Sequence, residues 1–531
     1  MMMTHTIETN GETGAGTGVA RHVIGIVGAG VMGRGIAQVA AQAGFQVLMH
    51  DSQTGAAERA RSAIGDTLAR VVERGRMSSE AREQALAHLT PVTSAAELSP
   101  CTVVVEAIVE ALEPKRSLFR ELETICSPEC ILATNTSSLS VTAIAAACEH
   151  PQRVAGFHFF NPVPLMKVIE VVDGALTARA AGDTLMAIGR QFGHTPVRAQ
   201  DTPGFIVNHA GRALGTEGLQ ILREAVADHP VIDQILREAA GFRMGPFELL
   251  DLIGLDVSHA VMESIYRQYY EEPRYRPSPI GTQRVAAGLY GRKSARGGFY
   301  QYDKGTPLTD PEAPAPAPGP DMPAFWVSPQ GGGSAVLALL ERLTRQSAAG
   351  QAGLLRLDRG VRAAPDSICL VAPLGADATS AALAEGLDPT RTVAIDTLFP
   401  LENRRTLMTT PVTLPAVRAA AHALLAADGV KVSLIRDSAG FVAQRVVALV
   451  INIGCEIAQQ RVAEPQDIDR AVTLGLGYPS GPLAWGDSLG ADRVLAITEA
   501  LHAATGDPRY RPSLWLKRRT RLGVSLLTPE I

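Results

Sequence analysis

From Arg21 to about Gln200 the chain alternates short apolar runs (HVIGIVG, FQVLMHD, TVVVEAI, CILATN, RVAGFHF, KVIEVV) with longer stretches whose apolar residues recur at helical spacing. Uninterrupted apolar runs of this length suit strands covered on both faces, and their alternation with helices predicts a mostly parallel α/β sheet. Residues 201–302 lose the strand signal and predict an all-α domain ending in ARGGFYQY. The next stretch, KGTPLTDPEAPAPAPGPDMP, alternates Pro with Ala and reads as an extended spacer over 303–330.

Beyond the spacer the chain repeats itself. ILATNTSSLSVTAIAAACEHPQRVAGFHFFNP from Ile131 aligns without a gap on CLVAPLGADATSAALAEGLDPTRTVAIDTLFP from Cys369, at an offset of 369 − 131 = 238. DTPGFIV at 201 matches DSAGFVA at 437, GFRMGPFELLDLIG at 241 matches GYPSGPLAWGDSLG at 477, and PRYRPS occurs verbatim at 273 and 508. The expectation is a degenerate partial repeat of both domains: a truncated α/β remnant over 331–436 and a second helical domain over 437–531. The second copy is expected to lack its first half, because few residues separate the spacer from the aligned segment.

Composition narrows the partners. A formal net charge of −5 and a pI near 6.2 give no overall basic footprint, so neither nucleic acid nor an anionic membrane is expected as a partner. Cys101, Cys126, Cys130, Cys148, Cys369 and Cys455 form no CxxC pair and several sit in apolar runs, which points to a reducing, cytoplasmic compartment. The opening residues 1–20 lack a basic segment followed by an apolar one and read as a disordered tail rather than a signal peptide. No metal-ligand spacing stands out.

VIGIVGAGVMGRGIA sets Gly28, Gly30 and Gly33 in a GxGxxG between a strand and a helix, with Ala29, Val31 and Met32 between them. Such a loop turns tightly, lets backbone approach a pyrophosphate and aims a helix N-terminus at it. FQVLMHD ends the next strand at Asp51, a carboxylate placed to accept from ribose hydroxyls and to repel a 2′-phosphate. The reading is a Rossmann-like domain over 21–200 that binds NAD in preference to NADP.

FHFFNPVPLMKVIEVV holds a single His and a single Glu on two apolar runs about a Pro-bounded turn. The midpoint of 158 and 170 falls at 164, in that turn, so an antiparallel return sets His158 opposite Glu170. A carboxylate on one ring nitrogen fixes the tautomer and leaves the other to take a proton, which makes a general base with its orienter. At the offset of 238 the second copy carries Asp396 for His158, Met408 for Glu170, Pro373 for Asn135 and Gly375 for Ser137, so it has lost these polar residues together.

GAGVMGRGIA, VVEAIVE, NTSSL, GFHFFNPVPLMKVIEVV, DTPGFIVN and GPFELLDLIGLD, in that order, resemble the L-3-hydroxyacyl-CoA dehydrogenase family, densely over about 21–302 and again in the helical half of the second copy. The two-copy length resembles the longer bacterial members of phenylacetate degradation, which take a 3-hydroxyadipyl-CoA-like substrate; 3-hydroxybutyryl-CoA dehydrogenases are near relatives. The resemblance implies NAD as cofactor and an acyl-CoA as substrate, His158 as base, Glu170 as its partner, and Ser137 and Asn208 at the reacting oxygen. It further implies that Glu110, Lys115, Asn135, Asn161 and Lys293 surround the cofactor and that the CoA contacts fall at Thr67 and Arg74. His209 replaces the Arg usual in the family. Two other readings stay open: a dehydrogenase of small free hydroxy acids or polyols, and a non-catalytic NAD-binding scaffold. The two helical domains are expected to pack on each other within the chain and complete the acyl pocket, and whole chains could form a homo-oligomer.

Overall fold

The structure, a computed structural model, describes residues 22–309, 311–316, 322–348 and 356–530. The tail expected over 1–20 lies outside the described residues. Eight strands form the first sheet: β1 (Val23–Val27), β2 (Gln46–His50), β3 (Leu89–Pro91), β4 (Val103–Glu106), β5 (Ile131–Thr134), β6 (Val154–Phe159), β7 (Val168–Asp173) and β8 (Thr195–Gln200). Their order is β3-β2-β1-β4-β5-β6-β7-β8, with every neighbouring pair parallel except β6 and β7. That exception follows from the connection: residues 160–167 are too few to carry a crossover helix, so the chain must return antiparallel. Helices Val31–Gln42 and Arg179–Gln191 cover one face through Ile36, Leu185 and Ile188, and helix Leu112–Ile125 covers the other through Phe119 and Leu122. Strand order reverses between β1 and β4, which opens a crevice at their carboxyl ends.

The proline-rich stretch is only partly a spacer. β9 (Gln301–Asp303) and β10 (Thr306–Leu308) make a hairpin, and Glu312 takes two hydrogen bonds from Arg404 at 2.8 and 2.9 Å. β11 (Phe325–Val327) already belongs to the second sheet, inside the span expected as linker. That sheet continues through β12 (Ile368–Val371), β13 (Thr392–Ile395), β14 (Arg404–Thr409) and β15 (Lys431–Ile435) in sequence order, with only β13 and β14 antiparallel. β12 to β15 reproduce β5 to β8.

Two expectations about the second copy are corrected. It has not lost its whole first half, because β11, a glycine-rich turn and helix Gly333–Ala348 repeat the pattern of β1, its turn and the following helix, although β11 pairs directly with β12 where the first copy sets β4 between β1 and β5. A Cβ on Gly333 would lie 1.8 Å from the Ser328 carbonyl oxygen, the same clash that a Cβ on Gly33 would make with Gly28. Leu357 even pairs in parallel with Phe325, in the place of β2. The second correction concerns Glu170. Ala394 pairs with Met408, so Asp396 faces Thr406, and the offset falls from 238 at His158 to 406 − 170 = 236 across the turn. Thr406, not Met408, therefore occupies the position of Glu170.

The helical halves share one apolar core with a pseudo-twofold arrangement. Contacts come in reciprocal pairs. The Gln200 amide donates to the Val462 carbonyl at 2.7 Å and the Arg436 amide to the Val226 carbonyl at 2.9 Å. Arg274 donates to the Arg511 carbonyl at 2.9 Å, and its repeat mate Arg509 to the Arg276 carbonyl at 3.2 Å. The verbatim PRYRPS is thus one self-complementary patch used twice, as in an isologous interface. Helix Val442–Gln459, long and apolar enough to cross a membrane, is mostly buried in this core against helix Arg212–Arg223.

The pseudo-symmetry breaks at one charge. Arg445 reaches across to Glu217 at 2.8 Å and to Glu224 at 2.5 Å, and within its own half donates to the Tyr510 hydroxyl at 2.8 Å. The reciprocal position is His209, and the positions that mirror the two acids hold Ile453 and Gln460. With no acid to meet, an arginine at 209 would be an uncompensated buried charge. His209 instead bonds the hydroxyls of Tyr275 at 2.6 Å and Tyr269 at 3.0 Å, and burial, then Arg212 and Arg274, pushes it down to about 3, so it is neutral. Because Glu217 and Arg445 are both buried, Arg445→Ala should destabilise the fold by about 3 kcal/mol, read as a shift in denaturant midpoint at unchanged slope. A loss below about 1 kcal/mol would mean the pair contributes no more than a surface bridge.

Candidate active site

β1 ends at Val27 and the chain turns at Gly28, whose φ of +101° and 2.5 Å approach of a notional Cβ to the Ala107 carbonyl oxygen exclude a side chain. Ala29 donates its amide to Asp51 Oδ2 at 2.7 Å, which ties the loop to the end of β2; Asp51 Oδ1 accepts from the Gln53 amide at 2.9 Å. Beside Gly30 a Cβ would meet no atom within 4 Å, and Val31 is 60% exposed, so the start of helix Val31–Gln42 is open to an incoming group. These residues fit a dinucleotide: free amides at a helix start for the pyrophosphate, and a carboxylate with unused lone pairs for the ribose.

His158 on β6 and Glu170 on β7 are cross-strand partners, with His158 Nδ1 2.7 Å from Glu170 Oε2. The other carboxylate oxygen accepts the amides of Ile206 and Val207 at 2.9 and 2.8 Å, where the helical half begins. A fully buried Glu170 is therefore met on both oxygens. Nδ1 carries the shared proton in this network, leaving Nε2, which has no protein partner among the described residues, on the cavity side.

That cavity, about 430 Å³, runs from the glycine loop to the helical half. It brings together Met32, Glu110, Lys115, Asn135, Ser137, His158, Asn161 and Asn208, all singled out in the sequence. Glu110 organises the loop after β5 by accepting from the Thr136 hydroxyl at 2.7 Å and the amides of Ser137 and Ser138 at 2.9 and 3.0 Å. Burial works against its charge, but those bonds and Lys115 hold its carboxyl below the ordinary value. Asn135 accepts the Phe159 amide at 2.8 Å, and Asn208 Nδ2 reaches the Ser137 carbonyl at 3.4 Å.

Beyond the glycine loop, Asp51 and Glu170 described above, three expected residues stand apart from this lining. Lys293 pairs with Asp256 at 2.8 Å, Thr67 bonds its own helix at the Ala63 carbonyl at 2.9 Å, and Arg74 is exposed at the end of that helix. No described residue of the second copy lines the cavity, so the expectation that it completes the pocket is corrected: it packs behind the helical half, with Leu476 against Gly211 and Gly475 against Val207. A larger cleft of about 1140 Å³ in the second half lies along β12 and the helix Ala378–Ala384, remote from these groups.

The sequence reading missed Glu106, which is fully buried at the end of β4 and takes bonds from Lys115 at 2.5 Å, the Thr134 hydroxyl at 2.7 Å and the Ile108 amide at 2.7 Å. A lone acid closing the apolar run TVVVE was its only signal. Also missed were Arg212 and the apolar wall Ile253, Val257 and Val261.

Residues 23–202 match the 3-hydroxyacyl-CoA dehydrogenase NAD binding domain, and 204–302 and 440–525 both match the C-terminal domain of the same family. The chain belongs to the 3-hydroxyacyl-CoA dehydrogenase family. This family member is 38% identical over 499 residues to the 3-hydroxyadipyl-CoA dehydrogenase of Escherichia coli (strain K12), a match spanning 94% of this chain and 97% of that one. The crystal structure of 3-hydroxybutyryl-CoA dehydrogenase from E. coli K12 superposes with a TM-score of 0.83 at 36% identity, covering 95% of this chain and 99% of that one. Single-copy members match the first half alone: the probable 3-hydroxybutyryl-CoA dehydrogenase of Deinococcus radiodurans is 41% identical over 278 residues, 52% of this chain and 99% of its own.

Asp51→Ser should raise KM for NAD about tenfold, the worth of one charge-assisted hydrogen bond, and narrow the preference over NADP. Steady-state kinetics with both nucleotides would show it, and unchanged discrimination would take Asp51 out of ribose recognition.

Proposed function

We propose that this dehydrogenase oxidises the C3 carbinol of an L-3-hydroxyacyl-CoA to the 3-oxoacyl-CoA, with NAD as the acceptor. What carries the reading is one juxtaposition: the Nε2 side of His158, held by Glu170, shares a cavity with Met32 of the glycine loop. NAD, when bound, supplies the hydride acceptor.

The chain's own residues do the rest. His158 Nε2 takes the hydroxyl proton, and the imidazolium that forms is stabilised by the Glu170 carboxylate 2.7 Å away. Glu170 cannot swing aside, because Ile206 and Val207 hold its second oxygen. Ser137 and Asn208 face the same space and are assigned to the reacting oxygen and the thioester. Glu110, Lys115, Asn135 and Asn161 shape the cofactor side, and Lys293, Thr67 and Arg74 are left without a role in this proposal.

The pathway we favour is β-oxidation of acyl thioesters, in phenylacetate or fatty-acid breakdown, and the support is the near full-length match to a 3-hydroxyadipyl-CoA dehydrogenase. A reducing cytoplasmic setting is supported by six free cysteines, five of them buried. Turnover of a 3-hydroxyacyl-CoA with no oxidation of the corresponding free acid separates this reading from a hydroxy-acid dehydrogenase, and absence of NADH formation with any thioester would leave only a binding scaffold.

His158→Gln should cut kcat by about 10²- to 10⁴-fold while NADH affinity, measured by fluorescence titration, stays within a factor of two or so. A kcat near that of the unmodified enzyme would remove His158 as the base.

A further inference from the structure

Helices Gly333–Ala348 and Pro415–Leu425 close one face of the second sheet through Val336, Leu340, Val417 and Leu424. On the other face Trp326 and Cys369, cross-strand neighbours on β11 and β12, border the cleft of about 1140 Å³. In the first copy the matching place is filled. Leu132 pairs with Val154 as Cys369 pairs with Thr392, and Leu132 and Val154 share an apolar cluster with Phe119 and Leu122 of helix Leu112–Ile125. Neither β4 nor that helix has a counterpart among the described residues of the second copy. The cleft is the seat of a helix that the second copy lacks.

The seat keeps the charge that holds the helix in the first copy. Arg153 donates to the Cys130 carbonyl at 3.4 Å and pairs with Glu123 of the helix at 3.5 Å, both side chains being buried. Its repeat mate, at 391 − 153 = 238, is Arg391, which lines the cleft. Arg391 likewise bonds the backbone, Nε to the Ser367 carbonyl at 3.1 Å, but it forms no ion pair with any described carboxylate. Its acid is missing together with the helix.

Glu385 and Asp388 stand on the same wall, and Asp388 is engaged by the Thr390 amide and hydroxyl at 2.9 and 2.8 Å. A helix can meet both signs: Leu112–Ile125 carries Arg116 and Arg120 besides Glu123. The cleft is also larger than the roughly 300–1,000 Å³ of ordinary small-molecule sites. Apolar walls with one arginine awaiting an acid suit the docking of an amphipathic helix.

We propose that this cleft receives an amphipathic helix of a partner protein, seated by an aromatic residue and a Leu three positions later, with an acidic residue directly after that Leu pairing with Arg391. Phe119, Leu122 and Glu123 set that spacing in the first copy. A partner held there rides on the half of the chain remote from His158, so the cavity beside His158 stays open while the two proteins are joined.

The probe is a fluorescein-labelled peptide copying residues 109–125, titrated against the full chain by anisotropy. Saturable binding with Kd on the order of 10 µM is expected, weakened about tenfold or more by Phe119→Ala or by Glu123→Gln in the peptide. Arg391→Gln in the protein should erase the difference between the Glu and Gln peptides. Ala381→Trp, which fills the cleft, should abolish binding while NADH affinity, titrated by its fluorescence, is unchanged. The peptide variants decide the matter even if a protein variant does not fold. No saturable binding below about 1 mM, equal affinity of the Glu and Gln peptides, or undiminished binding to Ala381→Trp each overturns the proposal. Displacement of the peptide by ADP at about 0.1 mM also overturns it and assigns the cleft to a small anion.

Discussion

A carboxylate sealed inside a sheet is costly unless donors meet both of its oxygens, and Glu170 is sealed completely. Its three donors come from different levels of the structure: His158 across the β6–β7 hairpin, and the amides of Ile206 and Val207 at the entry to the helical half. Satisfying one charge therefore fixes the hairpin register, the angle at which the helical half leaves the sheet, and the orientation of the imidazole. Moving the hairpin by one residue would turn Glu170 to the other face of the sheet and leave both amides without an acceptor. Fold and chemistry converge on the same two oxygens.

The duplicated half shows what happens when that constraint is released. Asp396 stands where His158 stands, but it faces Thr406 and takes a bond from Gln444 Nε2 at 3.0 Å, while Gln444 also caps the Gly375 amide at 2.8 Å. The site has closed into a self-satisfied network with burial raising the Asp396 carboxyl. What persists there is the surface that the first half needs: the helix Val442–Gln459, the PRYRPS patch and the strand ends that exchange amides across the pseudo-twofold axis.

Much of this could be read in the chain because it is local. Apolar runs and glycine spacing announced the first sheet and its loop, and the midpoint of the FHFFNPVPLMKVIEVV hairpin gave the pairing of His158 with Glu170. The shortened hairpin of the second copy was hidden for a physical reason: a two-residue change preserves which face each strand residue points to, so the ungapped match still looked consistent up to Met408. The retained glycine turn at 328–333 escaped notice because Ser328 and Gln330 replace its first two glycines, and only the close approach of Gly333 to the Ser328 carbonyl reveals the likeness. Arg212 was invisible for a different reason, since a sequence shows a charge but not the cavity wall that it joins.

In a homodimer every substitution appears twice, so a pair such as Glu217 and Arg445 cannot be kept on one side and traded for Ile453 and His209 on the other. Joining the two lobes by a stretch from Tyr302 to Phe325 removes that obligation and makes their encounter intramolecular, at an effective concentration on the order of millimolar. Each lobe is then free to specialise, one as the workshop and the other as its wall, with the stoichiometry set by covalent linkage rather than by dilution.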